Sequence, residues 1–125
     1  MSQEPLGKKG NFFHIYDFYV KPGTGDEFVK LFEKFDYSDD NPMHKSSAQV
    51  KDGVMLQDTK DPDHYWLIAE WSDVDEHARI LQILAGKMKP EFLNYIVDLD
   101  KGAFVPKYAK IVSSTPQDIL NQAAE

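Results

Sequence analysis

The pattern of hydrophobic and polar positions is clearest in residues 64–80, HYWLIAEWSDVDEHARI, where a strand pattern changes into a helix pattern. Residues 64–71 are rich in aromatic and β-branched side chains, with Glu70 as the interior charge, which is typical of a buried strand. From Val74 onward the apolar residues recur at helical spacing, so an amphipathic helix is predicted. Ser72 is predicted to cap this helix, whose first turn is acidic and therefore suits the helix dipole.

The first strand is predicted at residues 12–20, FFHIYDFYV, because both of its alternating faces are largely apolar. A Lys-Pro-Gly turn ends this strand, and an apolar stripe at helical spacing then predicts a helix. Thr24 is expected to cap that helix, with Glu27 as its capping-box partner. Residues 36–47 are polar and lack periodicity, which favours a solvated connection, although long ordered loops also form lids.

The rest of the chain predicts a strand with a bulge at Gly53, a short helix, a last strand and a C-terminal helix. In chain order, these elements are predicted at residues 48–58, 88–99, 103–112 and 116–124. The Asp61-Pro62-Asp63 turn is expected to join the strand at 48–58 to the strand at 64–71 in a hairpin. Pro106 suggests that the last strand lies at an edge or carries a bulge.

The predicted order β-α-β-β-α-β is that of a ferredoxin-like α+β domain, an antiparallel four-stranded sheet with its helices on one face. We expect a flexible N-terminal arm at residues 1–11, one domain at 12–113 and a helical tail at 114–125. The face of the sheet away from the helices is also apolar, through Phe13, Ile15, Tyr19, Trp66 and Ile68. A patch of this size is rarely left in water, so a homodimer through the open sheet face is predicted.

Composition narrows the classes of function. Of the 125 residues, 14 are Lys or Arg and 21 are Asp or Glu, giving a formal net charge of −7. An acidic chain without a basic cluster argues against nucleic acid and against an anionic membrane surface as partners. The sequence has no cysteine, which excludes disulfides, thiolate metal sites and a cysteine nucleophile. Neither a signal peptide nor a membrane span is predicted, so we expect a cytoplasmic protein.

Cofactor and metal sites have little support in the sequence. Three carboxylates and a histidine crowd one predicted turn, at Asp58, Asp61, Asp63 and His64. Hard cations bind such oxygen ligands, but the spacing fits no known metal motif, and a solvated hairpin turn is the favoured interpretation. The chain also lacks a glycine-rich phosphate loop. We therefore predict neither a metal nor a nucleotide or flavin cofactor.

Two segments carry a family pattern: VKPG followed by DEFVKLF, and DPDHYWLIAEWSD with His77 after it. Together they resemble the antibiotic biosynthesis monooxygenase domain of the dimeric α+β barrel superfamily. The resemblance covers about residues 12–112 and implies a dimeric α+β barrel. That superfamily holds cofactor-independent quinol and anthrone oxygenases, haem-degrading monooxygenases, autoinducer-processing enzymes, isomerases and members without known activity.

The resemblance supports one type of activity in this superfamily more than another. In the anthrone-oxygenase type, the tryptophan of the third strand corresponds to Trp71, a helix-start tyrosine to His77, and an asparagine to Leu67. Haem-degrading members use an asparagine, a tryptophan and a histidine at positions that hold other residues here, namely Tyr16, Ile80 and Pro90. The chain therefore resembles the anthrone-oxygenase type more than the haem-degrading type.

His77 is the candidate general base, since imidazole titrates near neutral pH, although a helix-start histidine that caps the helix or faces solvent is the alternative. Tyr16 is the second candidate catalytic residue. Trp71, His14 and Leu67 are candidate substrate-binding residues. His14 and Tyr16 share one face of the first strand, where both can hydrogen-bond a quinol oxygen or, as the alternative, simply satisfy each other. Trp71 is either a wall of the site or a core residue.

The predicted function is cofactor-independent monooxygenation of a small electron-rich aromatic molecule, such as a quinol or a polyketide-like compound. The alternative is a small-molecule-binding protein of the same fold without catalytic activity. A haem-binding or haem-degrading monooxygenase is the third hypothesis.

Overall fold

A computed structural model describes residues 3–39, 41–87 and 90–124. The described residues form one four-stranded sheet in which every pair of neighbouring strands is antiparallel and the order is β2-β3-β1-β4. The strands are β1 (Phe12–Tyr19), β2 (Gln49–Asp58), β3 (Asp61–Trp71) and β4 (Lys107–Lys110). The α-helices are α1 (Gly25–Asp36), α2 (Val74–Lys87) and α3 (Gln117–Leu120). This order confirms the predicted α+β, ferredoxin-like fold.

Shorter 3₁₀ turns occupy much of the chain between these elements. They lie at Pro42–Lys45, Glu91–Tyr95, Leu99–Lys101 and Asn121–Ala124. None of the helices in the described part of the chain is long and apolar enough to cross a membrane. The cytoplasmic location stays a prediction.

The core lies between the sheet and the helices. One cluster of buried side chains packs beneath α1 and includes Phe18, Phe28 and Phe92. A second cluster, formed by Ala69, Trp71 and Ile80, lies beneath α2. Because strand side chains alternate, the inward residues of β1 are the even-numbered ones, and its buried positions follow that alternation. The predicted inward face of the first strand is therefore confirmed.

The predicted hairpin and its bulge are confirmed, but the predicted place of the turn was wrong. Residues 61–63 already belong to β3, and the turn lies at Thr59 and Lys60, because Asp58 pairs with Asp61. β2 and β3 pair directly, and their register shifts between Lys51 and Val54, on either side of Gly53. A Cβ atom at Gly53 would lie 3.0 Å from the carbonyl oxygen of Ile68, closer than most real contacts of this kind. Glycine lets the bulged strand approach its neighbour at this point.

The predicted caps of the two long helices were wrong. The Thr24 side chain makes no capping hydrogen bond, and its hydroxyl instead donates to the carbonyl oxygen of Lys21 at 2.6 Å. Ser72 donates to the carbonyl oxygen of Ala48 in the neighbouring loop. The Asp73 carboxylate takes the capping role at α2, where it accepts from the amides of Asp75 and Glu76 at 2.9 and 3.4 Å. Each hydroxyl group therefore donates to a nearby backbone carbonyl group instead of accepting from a helix amide.

The region after α2 also differs from the prediction. Residues 88–99 do not form one helix: the described part has two 3₁₀ turns, and Met88 lies outside the described residues. Asp98 between the turns has a φ of 57°, a left-handed conformation that interrupts a right-handed helix. The predicted last strand, 103–112, is reduced to Lys107–Lys110, immediately after Pro106, which has no amide to donate.

Residues at both ends of the chain contact the end of β3. The carboxylate of Glu70 accepts hydrogen bonds from the amide of Lys8 at 2.8 Å and from the side chain of Asn11 at 2.9 Å. The hydroxyl of Ser114 donates to the carbonyl oxygen of Gly7 at 2.7 Å. These bonds fix residues 7–11 against the sheet, while the domain boundaries at 11 and 113 stay a prediction.

Candidate active site

A cavity of about 100 Å³ lies between the inner face of the sheet and the helical layer. Its wall is mostly apolar. Four of the five predicted site residues line it: His14, Tyr16 and Leu67 from the sheet and His77 from α2. The pairing of β1 with β3 places Tyr16 opposite Leu67, which is why these residues from distant parts of the sequence meet.

Trp71 is the fifth predicted site residue, and it lies behind the cavity wall. It is completely buried, and its indole Nε1 donates a hydrogen bond to Nδ1 of His14 at 3.1 Å. Its ring also packs edge-on against the ring of His77, with 4.9 Å between the centroids. Trp71 therefore contacts the cavity through the two histidines.

His77 is also completely buried, which excludes a solvent-facing helix-start histidine. As the fourth residue of α2, it points back towards the helix start and the end of β3. Its Nδ1 lies 2.8 Å from the hydroxyl oxygen of Tyr108. The His77 ring is 4.6 Å from the ring of His14, so the two imidazoles form a pair in the cavity wall.

Tyr108 is a site residue that sequence reasoning missed. It lies in the edge strand β4, directly opposite His14 in the pairing of β4 with β1. The residue is 39 % exposed, so its hydroxyl group joins a buried imidazole to the protein surface. The signal in the sequence was a single aromatic residue, Tyr108, shortly after Pro106. The face of β4 on which Tyr108 lies could be assigned only once the register of that strand was known.

Both imidazoles of the pair have one ring nitrogen without a hydrogen-bond partner. In the described part of the chain, Nε2 of His14 and Nε2 of His77 are buried and unpaired. Leaving a buried polar atom unpaired costs about 1–3 kcal/mol, so such atoms usually have a reason to persist. In a cavity wall, a polar group of a ligand can pair with both nitrogens.

Burial determines the protonation of the site. Burial, with the neighbouring His77 ring as the second cause, lowers the pKa of His14 from 6.5 to about 3. Burial also lowers the pKa of His77 from 6.5 to about 4. Both imidazoles are therefore neutral near pH 7, which is the form that can accept a proton, but the pKa of His77 lies well below the neutral range expected from the sequence. Burial and the nearby Tyr108 raise the pKa of Tyr16, so Tyr16 remains a phenol that can donate a hydrogen bond.

The histidine pair should make the fold sensitive to acid. Below pH 6.5 the unfolded chain binds protons at these two residues and the folded chain does not, so stability falls as the pH drops towards about 4. We expect a loss on the order of a few kcal/mol over this range, since one pKa unit corresponds to about 1.4 kcal/mol. Urea unfolding across the pH range measures it, and His77→Gln should flatten the dependence.

His64 provides a control of opposite sign. Burial lowers its pKa, but the hydrogen bonds that its ring donates to the Asp17 and Asp58 carboxylates outweigh that effect and raise the pKa above 6.5. Its contribution to stability is present below pH 6.5 and is lost as the pH rises through its folded value. His64→Gln should therefore remove the gain in stability that accompanies a fall in pH to 6.5, and it should leave the slope between pH 6.5 and 4 nearly unchanged. A His77→Gln variant with the wild-type pH dependence would contradict the assignment.

The segment at residues 36–47 borders the cavity. His44, in its 3₁₀ turn, lies with Nε2 3.1 Å from a carboxylate oxygen of Asp36 and Nδ1 2.7 Å from one of Asp52. Asn41 caps the turn by accepting a hydrogen bond from the amide of Met43 at 3.0 Å. From this segment, Asp36, Asn41, Met43 and His44 line the cavity. The described part of the segment is therefore a wall of the cavity as well as a connection.

The turn considered for a metal contains hydrogen bonds instead. His64 lies between two carboxylates, with Nε2 2.5 Å from Asp17 and Nδ1 3.1 Å from Asp58. Within residues 3–39, 41–87 and 90–124, no group of three or more histidine, aspartate or glutamate side chains is arranged to hold a metal ion.

No protein-family model matches the sequence, and no curated protein matches it. Solved structures do match the fold. A protein provisionally described as an antibiotic biosynthesis monooxygenase, from Chloroflexus aurantiacus J-10-fl, is 17% identical with a TM-score of 0.54; the match covers 86% of this chain and 98% of that one. SnoaB, a cofactor-independent oxygenase from Streptomyces nogalater, is 18% identical with a TM-score of 0.50, covering 86% and 96%.

A protein of a different description matches the fold equally well. A NIPSNAP-family protein with unknown function, from Agrobacterium tumefaciens strain C58, is 17% identical with a TM-score of 0.55; the match covers 94% of this chain and 99% of that one. At these identities the likeness concerns the fold. It confirms, at that level, the sequence resemblance to antibiotic biosynthesis monooxygenase domains.

Proposed function

We propose that this protein is a cofactor-independent monooxygenase that acts on a small electron-rich aromatic molecule carrying a hydroxyl group. The observation that carries the proposal is the pair of buried, neutral imidazoles in the wall of an apolar cavity, each with an unpaired Nε2. The fold, shared with an oxygenase described as cofactor-independent, agrees with this chemistry. An aromatic ring fits the apolar wall, and its hydroxyl group fits the histidines.

The reaction requires a base and a dry pocket. Nε2 of His77 removes a proton from the substrate, and the resulting electron-rich anion reduces dioxygen and forms a carbon–oxygen bond with it. The hydroperoxide that results takes the proton back from the imidazolium. Loss of water from a hydroperoxide on a ring CH₂ carbon leaves a carbonyl group, so one oxygen atom enters the product and the other leaves as water.

The other predicted site residues have supporting roles in this proposal. Tyr16, held as a phenol by its raised pKa, donates a hydrogen bond to the developing oxyanion. His14 binds the substrate oxygen, and Leu67 forms the apolar wall opposite it. Trp71 supports both imidazoles from behind.

The size of the cavity limits the substrate. A cavity of about 100 Å³ is of the same order as the engineered cavity of about 150 Å³ that binds benzene. The site therefore accommodates one aromatic ring. A larger polyketide-like substrate requires bordering residues such as Met43 and His44 to move aside.

Oxygen uptake tests the function. We expect a hydroquinone or an anthrone to drive oxygen consumption by the purified protein in the presence of a chelator and without added flavin. Mass spectrometry after reaction in labelled dioxygen should find one labelled oxygen atom in the product. A panel of such compounds that bind without oxygen consumption would favour the second candidate, a small-molecule-binding protein.

The size and lining of the same cavity also rank the alternative functions. A non-catalytic binding role is the second candidate, because an apolar cavity with unpaired ring nitrogens can bind a small molecule without a reaction. Haem is the third candidate and the weakest, because a four-pyrrole macrocycle is much larger than a cavity for one ring. Added haemin should give neither a shifted Soret band nor degradation in the presence of a reductant.

We also propose a homodimer through the open face of the sheet. Its apolar residues include three that are strongly exposed in the single chain: Tyr19 at 48 %, Val54 at 51 % and Leu56 at 42 %. The half-buried residues beside them are Phe13, Ile15, Trp66 and Ile68. A second copy would bury all of them, and a contiguous apolar patch of this kind usually marks an interface.

Sedimentation equilibrium tests the dimer, and we expect twice the mass of the chain. Leu56→Lys places a charge in the proposed interface and should shift the protein towards the monomer. Ile83→Lys is the control, because Ile83 is similarly exposed, at 40 %, but lies on α2, which packs on the other face of the sheet. A monomeric wild-type protein would contradict the proposal.

A further inference from the structure

The hydrogen bond between Trp71 and His14 fixes which nitrogen of His14 carries a proton. An indole N–H can donate a hydrogen bond but cannot accept one. Because Nε1 of Trp71 points at Nδ1 of His14 at 3.1 Å, that Nδ1 must be the acceptor and must lack a proton. A neutral imidazole has a single N–H, which is therefore on Nε2 of His14.

His77 is held differently. Its Nδ1 lies 2.8 Å from the Tyr108 hydroxyl group, which can donate or accept. When Nδ1 of His77 donates to Tyr108, Nε2 of His77 is an acceptor. His77 is thus able to present an acceptor, while His14 is restricted to presenting a donor. The two rings lie 4.6 Å apart in the same cavity wall.

We propose that Trp71 is a positioning residue that makes His14 the fixed hydrogen-bond donor of the site, and that the His14–His77 pair selects a ligand by its free hydroxyl group. A phenolic hydroxyl oxygen accepts from Nε2 of His14 and donates to Nε2 of His77, so both unpaired nitrogens are satisfied at once. The choice of a phenolic ligand rests on the proposed function. The fixed protonation of His14 rests on the Trp71 contact alone.

The pair discriminates between related ligands. A methyl ether such as anisole has an oxygen acceptor but no proton to donate, so it leaves Nε2 of His77 unpaired. Benzene leaves both nitrogens unpaired. Because a buried hydrogen bond contributes about 1 kcal/mol and an unpaired group costs more, phenol should bind about 10-fold or more tightly than anisole.

Nitrogen-15 NMR on histidine-labelled protein tests the fixed protonation of His14 directly. We expect the Nδ1 resonance of His14 in the range of an unprotonated acceptor and the Nε2 resonance in the range of a protonated nitrogen. The signals of His14 are assigned by their loss in His14→Gln. Trp71→Phe retains an aromatic ring but removes the donor, so Nδ1 of His14 should gain proton occupancy.

Ligand titration without turnover provides the second measurement. Phenol and anisole are titrated into wild type, Trp71→Phe and Trp66→Phe under nitrogen, with the histidine signals as the readout. Trp66→Phe is the matched control, because Trp66 lies in the same strand on the opposite face of the sheet. We expect phenol and anisole both to bind about 5- to 10-fold more weakly in Trp71→Phe, the size of one lost hydrogen bond, because both accept from Nε2 of His14. Their affinity ratio, which depends on His77, should be retained, and Trp66→Phe should bind both ligands as the wild type does.

The outcomes are distinct. A proton on Nδ1 of His14 in the wild-type protein would overturn the proposal, and so would equal affinity for phenol and anisole or an absence of phenol binding. If Trp71→Phe does not fold, the NMR and titration results on the wild-type protein still decide the question. These titrations run under nitrogen and do not depend on turnover. If phenol binds selectively but the oxygen-uptake assay finds no activity, the proposed function is refuted and this inference stands.

Discussion

Replacing His77 with glutamine should lower the turnover of the oxygen-uptake reaction by about 10²–10⁴-fold, the usual contribution of a positioned general base. Glutamine is preferred to alanine because His77 is fully buried against Trp71, so a truncation would also remove packing. Substrate binding should change less than turnover, since Leu67 and the rest of the apolar wall remain. Initial rates of oxygen consumption at saturating substrate measure the effect.

Arg79→Ala is the control for this variant. Arg79 is two residues further along α2, and its side chain is exposed and paired with Glu76 in the same helix. This substitution should leave turnover near the wild-type value. Full activity in His77→Gln would show that the base is elsewhere, with Tyr16 and His14 as the next residues to replace.

Replacing Trp71 with alanine should lower the free energy of unfolding by about 3–5 kcal/mol, the range measured for removal of a large buried ring. The ring is completely buried and packs in the cluster beneath α2 with Ala69 and Ile80. The substitution also removes the partner of Nδ1 of His14, which adds an unpaired buried atom. Urea unfolding followed by far-UV circular dichroism measures the loss.

Tyr37→Ala is the matched aromatic control, because Tyr37 is 75 % exposed at the end of α1 and contacts the side chain of Glu33 at the surface. It should change stability little. If Trp71→Ala were as stable as Tyr37→Ala, the cluster beneath α2 would not be the tightly packed core that the burial indicates.

The local sequence was sufficient to predict β1, β3 and the bulge in β2, together with the faces of the strands. The alternation in residues 12–20 and 64–71 specified which side chains of β1 and β3 point inward, because the period of a strand is fixed by its backbone. The bulge at Gly53 was predictable for a similar reason, since glycine in a strand marks a kink or a close approach. His14, Tyr16, Leu67 and Trp71 were thereby placed on one face before any register was known.

The helix caps and the last strand required more than local sequence. Ser72 suits a cap in isolation, but its hydroxyl donates to the carbonyl oxygen of Ala48, which is distant in sequence, whereas the hydroxyl of Thr24 donates to Lys21 within its own turn. The short β4 follows a proline, and its pairing with β1 depends on contacts distant in sequence. A capping hydrogen bond and a hydrogen bond to another backbone carbonyl group each contribute about 1 kcal/mol, so the choice between them is finely balanced. A local sequence pattern does not show this balance or the partners that are distant in sequence.

The sequence by itself determined that the chain folds as a βαββαβ sheet and that His77 follows the Trp71 strand end by less than two helical turns. Tertiary structure alone decided that His77 meets His14 and Tyr108, and that Trp71 acts from behind the cavity through Nδ1 of His14. The physical reason is the reach of the forces involved. Periodicity and propensity act between near neighbours, whereas strand register and hydrogen-bond partners are set by groups brought together when the chain folds.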